Sequence, residues 1–334
     1  MAVGIGRAFV IFVVFSAALG LLSQTAAWVF YKDDRRPSHS AMVGTLEIDL
    51  PEGASLGTAV LVDDCGILTN FHVVFGPWYV TALRDPSRHF PGTFTVTEAT
   101  LPDGTHPTAR AIPVIWGEYL GPDRHLRVPH HDWAYLVLDR CLGLEYGHAV
   151  LRAFDLEDFE GAADGFAALG YSTGRQMMDP ACSVHADRTR SAKQTWLHDC
   201  ALETGDSGGP LVMRGTSTMV ALSASLVADP HDPRCPRGGV RHRGAPLAHW
   251  SVRCANVAVP LTGDVIARVE AARIALGVQR ALIASGYDAG PLGAIHEPRA
   301  IAAIEQVQRD MRWPVTGEPT DGLRKILWLK LPTS

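Results

Sequence analysis

The chain has 334 residues, with 30 Lys plus Arg against 35 Asp plus Glu, a net charge of -5, and 47% hydrophobic and 19% charged residues. That length suits one or two folded units, each able to bury a core. The composition excludes a disordered polyelectrolyte, a collagen and a polytopic membrane protein, and the lack of a basic excess argues against a nucleic-acid partner.

At the N-terminus, Met1 to Arg7 carries one basic residue and Ala8 to Leu22 is an uninterrupted run of apolar or small residues. Thr25 and Ala27 then place small residues before a cut after Ala27, so residues 1–27 read as a secretory signal peptide. The alternative is an uncleaved anchor in the inner membrane, because Trp28 to Tyr31 extends the apolar stretch toward bilayer-spanning length. Either reading places the folded part in the periplasm or outside the cell, with membrane contact only if the segment is retained. Residues 28–42, polar from Asp33 and interrupted by Pro37, read as a linker.

From Met42 to Leu261 the apolar runs are short and punctuated by Gly, Pro and Asp. Strands are expected at 43–48, 57–62, 67–69, 78–82, 133–138, 165–169, 211–213, 219–227 and 255–259. Many short strands without a long helical pattern indicate an all-β sandwich or barrel pair. At Gly263 the pattern changes. Val265, Ile266, Val269 and Ile274 begin a helix, and Ile301, Ile304, Val307 and Met311 line one face of a second that Pro314 stops. A third is expected from Thr320 to Leu327. The reading is therefore an all-β domain over 43–270 followed by a small three-helix domain over 271–334.

Six cysteines in an exported chain fit an oxidising compartment, though six thiols allow 15 pairings. Cys182 with Cys200 and Cys235 with Cys254 close short local loops, which leaves Cys65 with Cys141.

Three segments carry chemistry when read together. Leu68 to Val74 delivers His72 at a strand end, Asp132 opens a strand that is apolar on both faces, and Gly205 to Leu211 is a glycine-rich turn around Ser207. A serine hydroxyl becomes a nucleophile when a base removes its proton and a third group orients that base. His72 would be the base, and Asp132 would hold its tautomer and stabilise its cation. The backbone N–H groups of Gly205 and Ser207 would converge as an oxyanion hole, while Gly208 and Gly209 permit the tight turn. The turn also satisfies the nucleophile elbow of α/β-hydrolases, but that fold needs serine first and histidine last. His130 and His131 beside Asp132 lack a spaced partner for a metal site. Between His231 and Cys254, the residues Cys235, His242, His249 and Cys254 match no compact zinc pattern, so a disulfide-closed insertion is the expectation and no metal or other cofactor is assigned.

The Gly-Asp-Ser-Gly-Gly-Pro turn, the Thr-Asn-Phe-His strand end and the Asp-Trp-Ala-Tyr-Leu-Val-Leu-Asp segment resemble the trypsin-like, chymotrypsin-fold serine peptidases in their bacterial form, over residues 43 to 270. The resemblance implies an all-β double barrel (chymotrypsin-like) with the site in the cleft between two six-stranded barrels. It also brings the neighbourhoods of Cys65 and Cys141 together, and it implies a protein or peptide substrate. By the family pattern the primary pocket is lined by Ala201, Leu202, Ala224, Ser225 and Leu226, which suggests a preference for apolar or uncharged side chains. The family often activates by freeing an N-terminus that pairs with the aspartate before the serine, here Asp206. Val43 and Gly44 loosely resemble that start and Arg35–Arg36 offers a basic cut site, yet no obligatory activating cleavage is expected.

In the tail, Val278 to Leu282, Gly286 to Asp288, Pro298 to Ile304, Val307 and Gln308 resemble the peptidoglycan-binding type 1 domain. The departures fall at Gly293 to Ala300, where that family carries its polar connecting loop. The resemblance implies peptidoglycan as a partner. A stabilising helical cap is the competing expectation. On sequence, the function is an exported serine endopeptidase held near the cell wall by its tail. The alternative is a non-catalytic peptidoglycan-associated protein built on a decayed peptidase fold.

Overall fold

The computed structural model describes residues 35–50, 53–75, 90–117, 131–154, 156, 163–172, 174–186, 196–225 and 255–330. The N-terminal 27 residues, the expected strand at 78–82, Leu226, Cys235, His242, His249 and Cys254 lie outside the described residues.

In the first half run β1 (Arg36–Pro37), β2 (Val43–Leu50), β3 (Gly53–Asp63), β4 (Gly66–Thr69), helix α1 (Phe71–Phe75), β5 (Gly92–Thr95), β6 (Thr108–Trp116) and β7 (Ala134–Leu138). Helix α2 (Leu142–Tyr146) and β8 (Val150–Leu151) lead to β9 (Ala163–Ser172), β10 (Arg175–Ala186), β11 (Trp196–His198), β12 (Pro210–Met213), β13 (Thr218–Ser225) and β14 (Asn256–Pro260). Strands β2-β3-β4-β7-β6-β5 close into one antiparallel barrel. A second six-stranded ring runs β9-β10-β11-β14-β13-β12 and back to β9. The double barrel is chymotrypsin-like and a helical region follows it.

Alternation along each strand divides the side chains between two cores. Ala59 and Leu61 of β3 join Leu46, Ile48, Ile67, Phe94, Leu136 and Leu138 inside the first barrel. Val60 and Val62, one step out of phase, join Tyr135 and Val137 in a cluster shared with Leu197, Leu222 and Val257 of the second barrel. Both faces of β7 are thus buried, which is why its sequence is an unbroken apolar run. Phe166, Val184, Trp196, Leu211, Ala221 and Ala258 fill the second barrel.

Helix α3 (Gly263–Ala284) extends the shared core. The Thr262 hydroxyl accepts from the Val265 N–H at 3.3 Å and caps its start. At its end Gly286 takes φ +84°, and the Tyr287 N–H bonds the Leu282 carbonyl in a Schellman closure. Val265, Val269, Ala272 and Leu276 lie on the barrels, each full burial contributing about 1.5–3 kcal/mol for a residue of Val or Leu size. Arg268 donates to the Trp116 carbonyl at 3.0 Å and sits 4.8 Å above the Trp133 ring. The helix runs straight through residue 270, so the helical region continues from the barrels without a break. Its later turns pack Val278 and Leu282 against α4 (Pro298–Asp310) and α5 (Asp321–Lys330), through Ile304, Val307, Leu323 and Leu327.

Two disulfides are present among the described residues, Cys65–Cys141 and Cys182–Cys200, in the expected pairing. Cys65–Cys141 spans 76 residues of the first barrel. Replacing both cysteines with serine is expected to lower stability by roughly 2–5 kcal/mol, because the unfolded chain regains that loop's freedom. Urea unfolding of the variant against the oxidised wild type checks this, and an unchanged midpoint contradicts it.

Candidate active site

Strand register brings Asp132 to His72. Thr69 at the end of β4 lies opposite Ala134 at the start of β7, so the residues just beyond each strand end face one another. The His72 N–H donates to Asp132 Oδ1 at 2.9 Å, and His72 Nδ1 lies 2.7 Å from Asp132 Oδ2. Asn70 Nδ2 donates to the Asp132 carbonyl at 2.7 Å and fixes the main chain from the other side. Asp132 is 2% exposed, whereas the His72 side chain is 33% exposed. A buried carboxylate thereby holds the Nδ1 edge of an imidazole whose side chain stays partly exposed. Because the carboxylate can only accept, Nδ1 carries the proton and Nε2 is left as the basic nitrogen.

The serine turn is assembled from its own carboxylate and from the first barrel. Asp206 Oδ2 accepts from the Glu203 N–H at 2.7 Å, and the Asp206 N–H donates to the Glu203 carbonyl at 3.1 Å. Thr58 of β3 reaches across, its N–H donating to the Ser207 carbonyl at 2.8 Å and its hydroxyl to the Gly205 carbonyl at 2.7 Å. At Gly208, with φ +87°, a Cβ would fall 2.1 Å from both the Thr58 carbonyl and Thr69 Oγ1, so this position admits only glycine. Gly205 has φ +103° and faces the Tyr171 carbonyl in the same way. The N–H groups of Gly205 and Ser207 have no hydrogen-bond partner among the described residues. The Ser207 hydroxyl lies 3.4 Å from the Ala224 carbonyl, a weak contact that leaves it free to reorient.

Of the expected pocket residues, Ala201, Leu202 and Ala224 are buried, and the Ala201 N–H donates to Asp179 Oδ2 at 2.8 Å. The Ser225 side chain and Leu226 lie outside the described residues. No group of His, Cys, Asp and Glu able to hold a metal occurs among the described residues.

Sequence reasoning missed three contributors. Thr58 is fully buried, and the sequence signal for it was a lone polar residue within the otherwise apolar run from Gly57 to Val62. Arg35 was read as part of a linker, yet its guanidinium lies 2.8 Å from Glu203 Oε1 and 3.3 Å from Asp206 Oδ2. His198 on β11 is fully buried opposite Asn256 of β14, three residues before Ala201.

Residues 57–222 match the family model described as the trypsin-like peptidase domain. Among solved structures the chain is similar to the thermostable serine protease AL20 from an extremophilic microorganism, at 15% identity over 70% of this chain and 96% of that one, with a TM-score of 0.46. It is similar to protease Anisep from Arthrobacter nicotinovorans, at 12% identity over 70% and 96%, TM-score 0.47. It is also similar to the HtrA-type protease AlgW, at 18% identity over 75% and 65%, TM-score 0.39. No curated protein matches the sequence.

Burial pushes the His198 imidazole down to about 4. Below the ordinary value of 6.5 the unfolded chain takes up a proton that the folded chain refuses. Stability is therefore complete above that value and falls as pH drops toward 4. Between pH 7.5 and 4.5 the wild type is expected to lose about 2–3 kcal/mol through this group. Urea midpoints of wild type and His198→Leu at the two pH values check the assignment; an equal acid loss in both proteins refutes it.

Proposed function

We propose that this chain is an exported serine endopeptidase that hydrolyses peptide bonds through an acyl-enzyme formed on Ser207. The single observation that carries the reading is the His72–Asp132 pair, a partly exposed imidazole whose Nδ1 is 2.7 Å from a buried carboxylate; the serine turn, with two unpartnered N–H groups, packs through Gly208 against Thr69 and Asn70 of the segment that leads to His72. The peptidase match over residues 57–222 agrees with it.

In this mechanism the substrate carbonyl lies against Ser207, with its oxygen toward the Gly205 and Ser207 N–H groups. His72 Nε2 takes the hydroxyl proton as Oγ forms a bond to the carbonyl carbon, and Asp132 stabilises the resulting imidazolium. The C–N bond then breaks as His72 returns the proton to the leaving amine, and water repeats the sequence to free the acid. Preorganised N–H donors stabilise the oxyanion, each worth about 3 kcal/mol. The resting contact of Ser207 with Ala224 is compatible with this role, because nucleophile and base often tighten only when substrate binds. The two disulfides fit the periplasm or the extracellular space, where thiols oxidise. Among the described residues no helix is long and apolar enough to cross a membrane.

We assign the tail to capping the first barrel. Gly293 packs against Ile112 and Val137, Ile295 is buried in the shared core, and Gln279 donates to the Ala289 and Pro291 carbonyls at 3.0 and 2.8 Å. The segment in which the sequence departs from the peptidoglycan-binding pattern thus begins on the barrel, which supports a structural role over wall tethering.

A serine-directed fluorophosphonate is expected to label wild type and not Ser207→Ala. His72→Ala should lower kcat about a million-fold and Asp132→Asn about ten-thousand-fold. Wild-type protein that neither labels nor cleaves would move the assignment to the non-catalytic alternative. For the tail, the full-length Ser207→Ala protein is expected not to co-sediment with purified sacculi; saturable retention would restore the wall-tether reading.

A further inference from the structure

Arg35 lies far from Ser207 in sequence and touches the turn that presents it. Its side chain is 5% exposed, and it donates to Ser172 Oγ at 3.0 Å besides pairing with Glu203 and Asp206. The two acids are only three residues apart and nearly buried, with 11% and 3% side-chain exposure. Asp206 Oδ2, the oxygen that Arg35 reaches, is also the one that accepts the Glu203 N–H and closes the turn. The guanidinium therefore bridges and partly offsets the carboxylate pair that closes the turn carrying Gly205 and Ser207. Without it, two neighbouring carboxylates would repel in a low-dielectric setting and open toward water, carrying the two N–H groups with them.

The segment that delivers Arg35 is itself fastened. Arg36 and Pro37 pair with Met178 and Met177 of β10, and the Ser38 N–H donates to the Gln176 carbonyl at 3.1 Å. The Gln176 side chain then clamps Ser40 from both sides, accepting from its N–H at 2.7 Å and donating to its carbonyl at 2.8 Å.

We propose that Arg35 is a positioning residue for the oxyanion-binding N–H groups, so that the strap from Arg35 to Ser40 is a working part of the site. The proposal rests on the reading of Ser207 as nucleophile. It reverses the sense of the dibasic Arg35–Arg36 pair: a cut after Arg35 removes the guanidinium with the leaving segment and switches the site off.

The test compares purified full-length wild type, Arg35→Lys and Arg35→Ala, the last with and without added ethylguanidinium. Arg35→Ala should lower kcat about 10²–10³-fold on a peptide substrate with KM changed little, the loss expected when an oxyanion donor is misplaced. Ethylguanidinium should restore part of kcat, and Arg35→Lys should retain part, because a single ammonium cannot match the guanidinium fork. Amide exchange in the peptide covering residues 202–209 should accelerate in Arg35→Ala while the barrel strands stay protected. A chain beginning at Arg36 should behave as Arg35→Ala does. Wild-type kcat in Arg35→Ala overturns the proposal, as does a loss that follows global unfolding, with the barrel strands exchanging as fast as residues 202–209, or a loss that is not rescued and leaves exchange in residues 202–209 unchanged. If the wild type itself fails to cleave or label, the peptidase reading falls, and the exchange comparison still decides whether Arg35 holds the turn.

Discussion

Three hydrogen bonds at one threonine tie the two barrels together, and a fourth ties that threonine to the strand before His72. The Thr58 N–H and hydroxyl donate to the carbonyls of Ser207 and Gly205, its hydroxyl oxygen accepts from the Tyr171 N–H at 2.9 Å, and its carbonyl accepts from Thr69 Oγ1 at 2.7 Å. Thr58 is fully buried, so its N–H and hydroxyl would be left without those partners if the barrels slid past one another. Thr69 stands three residues before His72, on the strand whose end delivers the imidazole. The serine turn and the histidine are therefore referenced to the same backbone point. A site divided between two barrels needs such a shared reference, since hydrophobic contact alone leaves barrels free to slide.

Close approach makes that reference possible. Gly208 sits against Thr58 and Thr69 with no room for a β-carbon, and a β-carbon at Gly57 would come within 3.1 Å of the Ser207 carbonyl across the barrels besides striking Val73 on the histidine-bearing helix. Two small residues thus set the distance between barrels, while the shared apolar cluster and helix α3 supply the burial that holds them together. The specificity of the fit and its stability come from different residues.

Much of the candidate site was legible because the residues proposed for it lie in local sequence patterns. His72, Asp132 and Ser207 each sit in a short stretch whose neighbours have fixed roles: an apolar strand before the histidine, an apolar strand after the aspartate, glycines around the serine. The strands were less legible. β6 was missed because Pro113 interrupts it, and the ladder shifts register between Pro113 and Ile115 to accommodate that ring. β10 was missed for a similar reason: Asp179 and Pro180 fall at a bulge between Asp179 and Cys182. β5 and β11 have only four and three residues, too few to show a period. Arg35 gave no signal, because its partners are more than a hundred residues away and local polarity is all that a linker and a strap share.

The buried acids explain how irregular loops hold shape between short strands. Asp63, Asp132, Asp179, Asp199 and Asp206 are all buried, and each accepts at least one main-chain N–H: from Cys65, His72, Ala201, Ser183 and Glu203 respectively. Cys65, Ala201 and Glu203 lie in turns or loops, His72 at a helix start, and Ser183 at an irregularity within β10 beside Cys182. A carboxylate makes stronger bonds to N–H than a neutral acceptor, which lets it replace a missing ladder partner. Aspartate suits the task better than glutamate because its shorter side chain loses less rotamer freedom when fixed. At Asp63 the cost of burial shows, since its carboxyl is pushed above the usual range despite the Cys65 N–H and the Tyr135 hydroxyl at 2.8 Å. At Asp132 and Asp206 a cation-forming or cationic side chain, His72 or Arg35, completes the set. The same device that pins loops elsewhere thus also frames the candidate site, where an imidazole or a guanidinium is the second partner.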